Sequence, residues 1–329
     1  MKIAICGAGL VGSYLYRLLS RSGTHQITIF EKQVPHKTSC RISPCAWATS
    51  IGFKDIITEV NLNPEKYILQ TCGRMSINEM NIPAIIMVID KPKLINDLIA
   101  GTDIKVNPVE KEDFDRIIDA TGVTRAYLPK IDNDIIASCI QYRVYSKKPL
   151  ECSINISNIG YVWRFPLSDN EYHIGAGSIK VPPEQMLTKL GWMEDCDYLC
   201  SCIGQIRFTS PHYSLPFVEI SKGKNHYSVW GVGEAIGCVA PLAGEGIIPG
   251  LTSARLLLEN WEDPNAYQHS ISREFLWMKK ERSVIDKVMK GRSISLFDAQ
   301  ILKNNTRRLN MKLGSYQALR ILKSLAKLD

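Results

Sequence analysis

The chain lacks any apolar run long enough to cross a membrane. Its longest stretches, Ala84 to Ile89 among them, fall far short of the roughly 20 residues a span needs. It also lacks a basic segment followed by a cleavable apolar stretch. Met1 and Lys2 lead straight into Ile3-Ala4-Ile5-Cys6, a run with strand character, so no signal peptide is read and the expected compartment is the cytoplasm. No internal repeat and no low-complexity linker is found, which sets aside solenoids and collagen. A composition of 45% hydrophobic and 22% charged residues sets aside disorder. The six histidines form no Ser–His–Asp pattern. None lies beside Cys196, Cys200 and Cys202, whose spacing is not that of a CxxC pair, so these read as reduced structural thiols and no metal site is expected.

Acidic residues are scarce in one place. From Lys279 onward the chain is rich in lysine and arginine, including Lys287, Lys290, Arg292, Lys303, Arg307, Arg308 and Lys312, and this region carries much of the net charge of +7. Two readings stand. The charge is a solvated helical face, or it attracts an anionic membrane surface or an anionic head group. No recognition motif accompanies it, so nucleic acid is not expected as a partner.

At 329 residues the chain can hold one large domain or two that share an interface. Its opening is a βαβ pattern. An apolar run at 2–6 precedes Gly7-Ala8-Gly9-Leu10-Val11-Gly12, then Tyr14, Leu15, Leu18 and Leu19 recur at helical spacing, and a second strand at 26–30 ends in Glu31 and Lys32. Gly7 permits the turn out of the strand, Gly9 lets the backbone approach a pyrophosphate, and Gly12 allows close helix-on-strand packing. The helix N-terminus offers N–H groups and a favourable dipole to phosphate, and Glu31 can accept from ribose hydroxyls. The combination predicts a dinucleotide site.

Farther on, strands are expected at 84–89, 104–109 and 116–119, with a helix at 92–100. Alternating runs at 140–145, 153–156, 161–165 and 173–179 predict an antiparallel sheet. A strand at 227–231 and a helix at 247–260 return the chain to the first unit, and the remainder is helical. A second glycine-rich segment, Trp230 to Gly237 and then Pro241 to Ile248, suits close backbone approach to a ligand. Gly246 and Ile247, at the helix start, are expected to direct N–H groups at a flavin ring.

That segment resembles the second FAD motif of the para-hydroxybenzoate hydroxylase-like flavoproteins, written GDAxGxxxPxxGxGI, and the chain as a whole is most similar to the geranylgeranyl reductases. Tyr161-Val162-Trp163-Arg164-Phe165-Pro166 resembles their YxWxFP motif, continued by His173-Ile174-Gly175-Ala176-Gly177. Asp119-Ala120-Thr121-Gly122 is similar to their A-[DT]-G turn, and Pro44-Cys45-Ala46 to their P-C-G segment. The likeness runs over about residues 2–260. Three departures stand out. Glu234 replaces the usual aspartate, Ala46 a glycine, and Lys91 the usual arginine, whose planar fork lysine lacks.

The resemblance implies an α/β fold with three parts: a Rossmann-like FAD-binding domain from residues 1–130 and 227–265, an antiparallel-sheet substrate domain from 131–226, and a helical extension from 266–329. It implies FAD as cofactor, held by Gly7, Ala8, Gly9, Leu10, Val11, Gly12, Glu31, Lys32, Cys45, Ala46, Lys91, Ala120, Thr121, Gly122, Gly233, Glu234, Gly244, Gly246 and Ile247. It implies reduction of carbon–carbon double bonds in a prenyl chain of a lipid or other isoprenoid. Cys45, Tyr161 and Trp163 are the candidate catalytic residues, and Trp163, Phe165 and Pro166 the candidate substrate contacts. Ferredoxin or NAD(P)H is the expected donor, and peripheral contact with the inner membrane face is expected of the basic tail. A flavin monooxygenase acting on an aromatic or other small substrate is the first alternative. A non-catalytic flavin-bound lipid-binding protein is the second. Cys40 competes with Cys45, and Arg41 is a candidate for a lipid phosphate.

Overall fold

The computed structural model describes residues 1–32, 47–106, 109–221 and 226–325. Its first elements are strand β1 (Lys2–Cys6), helix α1 (Leu10–Ser20) and strand β2 (Gln26–Phe30). Ile3, Ala4 and Ile5 are wholly buried, as a central strand of a parallel sheet covered on both faces requires, which is why this run is apolar without alternation. Next come β3 (Ala48–Thr49), α2 (Gly52–Glu59), β4 (Ile68–Ile77), β5 (Met80–Ile89), α3 (Lys91–Leu98), β6 (Ile104–Lys105) and β7 (Arg116–Asp119). The strand expected over 104–109 is thus only a two-residue pairing with Phe30 and its neighbour.

The middle of the chain contributes β8 (Ile136–Ser146), β9 (Ser153–Ser157), β10 (Gly160–Pro166), β11 (Glu171–Ser178), α4 (Pro183–Leu190), β12 (Cys196–Arg207), β13 (Val218–Ile220) and β14 (Ser228–Gly231). Two sheets result. The six-stranded sheet has the order β13-β14-β7-β1-β2-β6, and all its pairings are parallel except β13 with β14. Its order reverses beside β1, so the crevice beyond the ends of β1 and β7 is where such a sheet takes a ligand.

The eight-stranded sheet has the order β12-β8-β11-β10-β9-β4-β5-β3. Residues 48–89 therefore supply three of its strands, although the expected division placed them with the first unit. The chain makes the β4–β5 hairpin through Asn78 and Glu79, both at positive φ (46° and 65°), a primed turn whose twist matches that of the strands. The antiparallel runs read from the alternation at 140–179 are β8 to β11. β12 was not read as a strand, because Cys196 to Arg207 is polar and exposed along much of an edge strand. Cys196 and Cys202 on it are free thiols, whereas Cys200 is disulfide-bonded, which departs from the reading of three reduced thiols.

Helices α5 (Ile247–Glu259), α6 (Pro264–Glu274), α7 (Leu276–Met289), α8 (Leu296–Thr306) and α9 (Ser315–Leu325) complete the described chain. Pro249 falls in the first turn of α5, where its missing N–H has no intrahelical partner to lose. Between α8 and α9 the chain lies along β5. Ile85 donates its N–H to the Asn310 carbonyl (3.2 Å) and Lys312 donates to that of Pro83 (2.8 Å), with Ala84 bridged to Met311. No described helix is long and apolar enough to cross a membrane.

Candidate functional site

The loop from β1 into α1 has the three glycine environments that its spacing predicts. Gly7 has φ +108°, and a Cβ there would lie 2.4 Å from the Ala120 carbonyl oxygen. A Cβ on Gly12 would lie 1.9 Å from the Gly7 oxygen. Both positions are closed by backbone, so only glycine lets β1, α1 and the turn after β7 approach. A Cβ on Gly9 meets nothing within 4 Å. Gly9 is also the N-cap of α1, where no side chain caps the helix and no acid occupies the first turn. Its open face and the N–H groups of Leu10 and Val11 make an uncapped positive helix end, the environment a pyrophosphate requires. Glu31 fixes the loop from the next strand: Ala8 donates its N–H to Oε2 (2.7 Å) and Lys32 donates to Oε1 (2.9 Å). Glu31 and Lys32 are exposed, and the carboxylate retains lone pairs for ribose hydroxyls.

Beside this loop two further turns meet. Asp119 ends β7 fully buried. Its carboxylate accepts from the Thr121 N–H and hydroxyl and from the N–H groups of Tyr127 and Leu128, which shapes the turn through Ala120, Thr121 and Gly122. Gly233, at φ +65°, packs on Val11 of α1 and donates its N–H to the Ser253 hydroxyl of α5. The distant glycine segments are therefore in contact.

Buried Arg207, at the end of β12, ties both turns together. It pairs with Asp134 and donates to the carbonyls of Glu234 and Val123 (2.7 Å each). Arg125 reinforces the clamp by donating to the carbonyls of Ala235, Pro129 and Pro216. Glu234 accepts the Arg207 backbone N–H on Oε1 (2.7 Å), and its Oε2 faces Gly122. Burial raises the Glu234 carboxyl above its ordinary range, with Arg207 and then Lys91 opposing the rise. Lys91, the first residue of α3, thus joins Glu234 and Gly122 in one place, despite the long separation in sequence. Asp119 was read from the sequence only as part of the segment that resembles the A-[DT]-G turn, without a role of its own, and neither arginine was singled out. The buried arginines had no local signal, because their acceptors are mostly backbone carbonyls, and the one carboxylate among them, Asp134, is distant from Arg207 in sequence.

The other end of the site is the loop into α5. Gly244 has φ +65°, and a Cβ there would lie 1.9 Å from the Tyr161 hydroxyl oxygen. Gly246 is the N-cap of α5. The Ile247 N–H, expected to face a flavin ring, is taken by Glu245, together with that of Ile248: Oε1 of Glu245 accepts both, at 3.1 and 2.9 Å, and the Thr49 hydroxyl at 3.4 Å. The reason is local, since a carboxylate just before an uncapped helix finds its N-terminal donors. The sequence reading passed over Glu245 as a variable position in the motif. Burial pushes its carboxyl up to about 7, against the pull of those N–H groups. Leu242, earlier in the loop, donates its N–H to Glu281 of α7 (2.9 Å), whose other oxygen accepts from the Asn305 side chain of α8 (3.0 Å).

Between this loop and the eight-stranded sheet lies a cavity of about 50 Å³, lined chiefly by apolar side chains. Tyr161, Trp163 and Phe165 of β10 form one wall, on one face of the strand by its period of two. The glycines opposite explain the second motif. Trp163 pairs with Gly175 and Tyr161 with Gly177, and a Cβ on Gly175 would lie 2.3 Å from the Trp163 ring. The rings lie where their strand partners have no side chain. Trp163 also donates its indole N–H to Gln141 (3.2 Å). Pro166, by the same period, faces away and is not part of the wall. Met311 and Leu309, from the segment docked on β5, close another side. Cys45 and Ala46, with Cys40, Arg41 and Pro44, lie outside the described residues.

Three comparisons place this architecture. No family model matches the chain. An uncharacterised protein of Methanocaldococcus jannaschii is 28% identical, over 87% of this chain and 91% of its own. Among solved structures, a geranylgeranyl bacteriochlorophyll reductase-like protein of Thermoplasma acidophilum superposes with a TM-score of 0.61, at 18% identity over 99% of this chain and 91% of that one. A tryptophan 6-halogenase of Streptomyces toxytricini gives 0.67 at 14% identity, over 99% and 90%. A probable FAD-dependent monooxygenase of Pseudomonas aeruginosa gives 0.59 at 12%, over 92% and 99%. The chain has the α/β fold that these reductase-like proteins, halogenases and monooxygenases share.

Proposed function

We propose that this chain is an FAD-dependent oxidoreductase that reduces carbon–carbon double bonds in a prenyl chain. The observation that carries the reading is the apolar cavity walled by Tyr161, Trp163 and Phe165 and ending at the glycine-rich start of α5. A fold shared with FAD-dependent enzymes supports the cofactor. So does the fit of its residues to one: the open face at Gly9, the uncapped end of α1 and the Glu31 carboxylate suit an adenosine diphosphate moiety. The turns at Gly122 and Gly233, with Lys91 and Glu234, would hold its middle.

The cofactor would supply hydride. The protein's own contribution is positional. An isolated alkene develops no oxyanion, so donors of the oxyanion-hole kind have nothing to bind. What lowers the barrier is a wall that holds the chain in register, exclusion of water, and a placed proton. The three rings supply the wall, Trp163 and Tyr161 seated opposite Gly175 and Gly177. Met311 and Leu309 help keep water out. The donor, ferredoxin or NAD(P)H, is part of the proposal.

The membrane contact belongs to the same reading. Leu296 and Phe297, at the start of α8, are 75% and 73% exposed, and Lys290, Arg292 and Lys303 lie nearby in the chain. An apolar tip among cations suits an anionic bilayer surface. Co-sedimentation with anionic but not zwitterionic vesicles, weakened by Phe297→Ser, is the expected result.

The test of the activity is an absorbance spectrum of the flavin-loaded protein, oxidised and then reduced without oxygen, with and without a geranylgeranylated lipid. Flavin bands that bleach and return on adding lipid support the reductase. Bands that return only with oxygen favour the monooxygenase reading. A protein that no donor reduces favours a non-catalytic lipid-binding role.

A further inference from the structure

Glu245 is placed differently from the other buried carboxyls around the site. Glu281 has both oxygens occupied, by the Leu242 N–H and the Asn305 amide. Asp119 is saturated by the turn it shapes. Glu234 is bound by Arg207 and lies near Lys91. Glu245 is held by Oε1 alone, while its Oε2 is buried without a hydrogen-bond partner. It also lines the apolar cavity, alongside Tyr161, Trp163 and Phe165.

We propose that Glu245 is the proton donor of this site, its Oε2 giving a proton to one carbon of a substrate double bond as the other carbon takes hydride from the reduced flavin. The inference rests on the prenyl-reduction reading and deepens it. The balance is closed. The π bond of the alkene, the O–H bond of Glu245 and the N–H bond that carries the hydride on the reduced flavin would break, two C–H bonds would form, the flavin would be left oxidised by two electrons, and the carboxyl would be left as a carboxylate. Water reprotonates it before the next turnover.

The geometry serves both states of the acid. Apolar surroundings hold the proton on, since an unpaired buried charge is costly. Once the proton has left, the N–H groups of Ile247 and Ile248, the Thr49 hydroxyl and the positive end of α5 receive the charge. A carboxyl pushed up to about 7 by burial is poised near working pH, where an acid is both populated and willing to donate. The titratable group facing it across the cavity is the Tyr161 phenol of β10; from β3 it meets Thr49, which does not titrate.

The experiment uses the flavin-loaded protein, reduced anaerobically with dithionite and mixed with a geranylgeranylated lipid, with wild type and Glu245→Gln compared per bound flavin. Glutamine keeps the size and an acceptor for the helix N–H groups but has no acidic proton. Reoxidation by lipid is expected to slow about 100-fold or more in the variant. A second readout needs no turnover. The infrared spectrum of the resting protein should show a protonated-carboxyl C=O band that titrates near pH 7 and is missing in Glu245→Gln. Wild type that lipid reoxidises, with a variant equally fast or no such band, overturns the role of Glu245 while leaving the reductase standing. Wild type that lipid does not reoxidise overturns the reductase reading, and the proton donor with it.

Discussion

The two ends of the site are built on opposite plans. The phosphate end, Gly7 to Gly12 with Glu31, comes from one continuous βαβ unit, and its constraints lie within that unit and the turn after β7. The cavity end is assembled from five separate places: Thr49, the rings of β10, the Gly244–Gly246 loop, Glu281 of α7 and Met311 beyond α8. The first is a local motif. The second exists only when the whole chain is folded. A lesion at the open Gly9 of the first should therefore cost the cofactor and spare stability, whereas a lesion at the second should cost stability as well.

The sharpest break is Gly9→Trp. The position is open, so the variant folds, but the indole fills the space a pyrophosphate needs. Loss of all bound flavin after purification is expected, with an unfolding transition like that of wild type. A yellow variant would refute the placement of the phosphates. The matching lesion at the cavity end is Gly244→Ala, which forces a side chain to φ +65° and onto the Tyr161 hydroxyl. Urea unfolding should show a loss on the order of 3 kcal/mol. Adding Tyr161→Phe should restore a measurable part of it, a coupling that no phosphate-end variant shares.

How stability varies with pH sharpens the same contrast. The Glu245 carboxyl is raised in the folded protein to about 7, from an ordinary 4.5. The folded state therefore holds a proton that the unfolded chain releases. This favours folding fully below pH about 4.5 and is lost as pH rises through about 7, a swing on the order of 3 kcal/mol. Glu245→Gln should flatten that part of the profile, as read by denaturation at a series of pH values. The smallest effect expected is Met311→Ala, about 2 kcal/mol from a buried side chain removed at the cavity wall.

The same contrast explains what could be read in advance. The βαβ opening was legible, because its glycines, its apolar strand and its terminal glutamate act over a short stretch. Tyr161, Trp163 and Phe165 were legible as one face of a strand, since alternation needs no partner. The β4–β5 hairpin was half missed: β4 alternates at a partly exposed surface, and Asn78-Glu79 is a weaker turn signal than Asn-Gly. β12 was hidden by polar edge positions. Arg207 and Arg125 gave no signal, because carbonyl acceptors leave no mark in the sequence and Asp134, the one carboxylate partner, is far from Arg207 along the chain. Glu245 was in plain view but read as filler, since its meaning comes from Thr49 and from the walls around it. Met311 was invisible, being placed by a backbone pairing with residues from the first third of the chain.

The pairing of Met311 with Ala84 also sets an order of events in synthesis. A growing chain leaves the ribosome from its amino end, so the pyrophosphate cradle is complete in outline long before residues 307–313 emerge. Until then the cavity lacks the wall that Leu309 and Met311 supply, and β5 has an unpaired edge. A late stretch of the chain thus finishes an early part of the sheet. A nascent chain stalled before it would carry a cradle with no closed chamber.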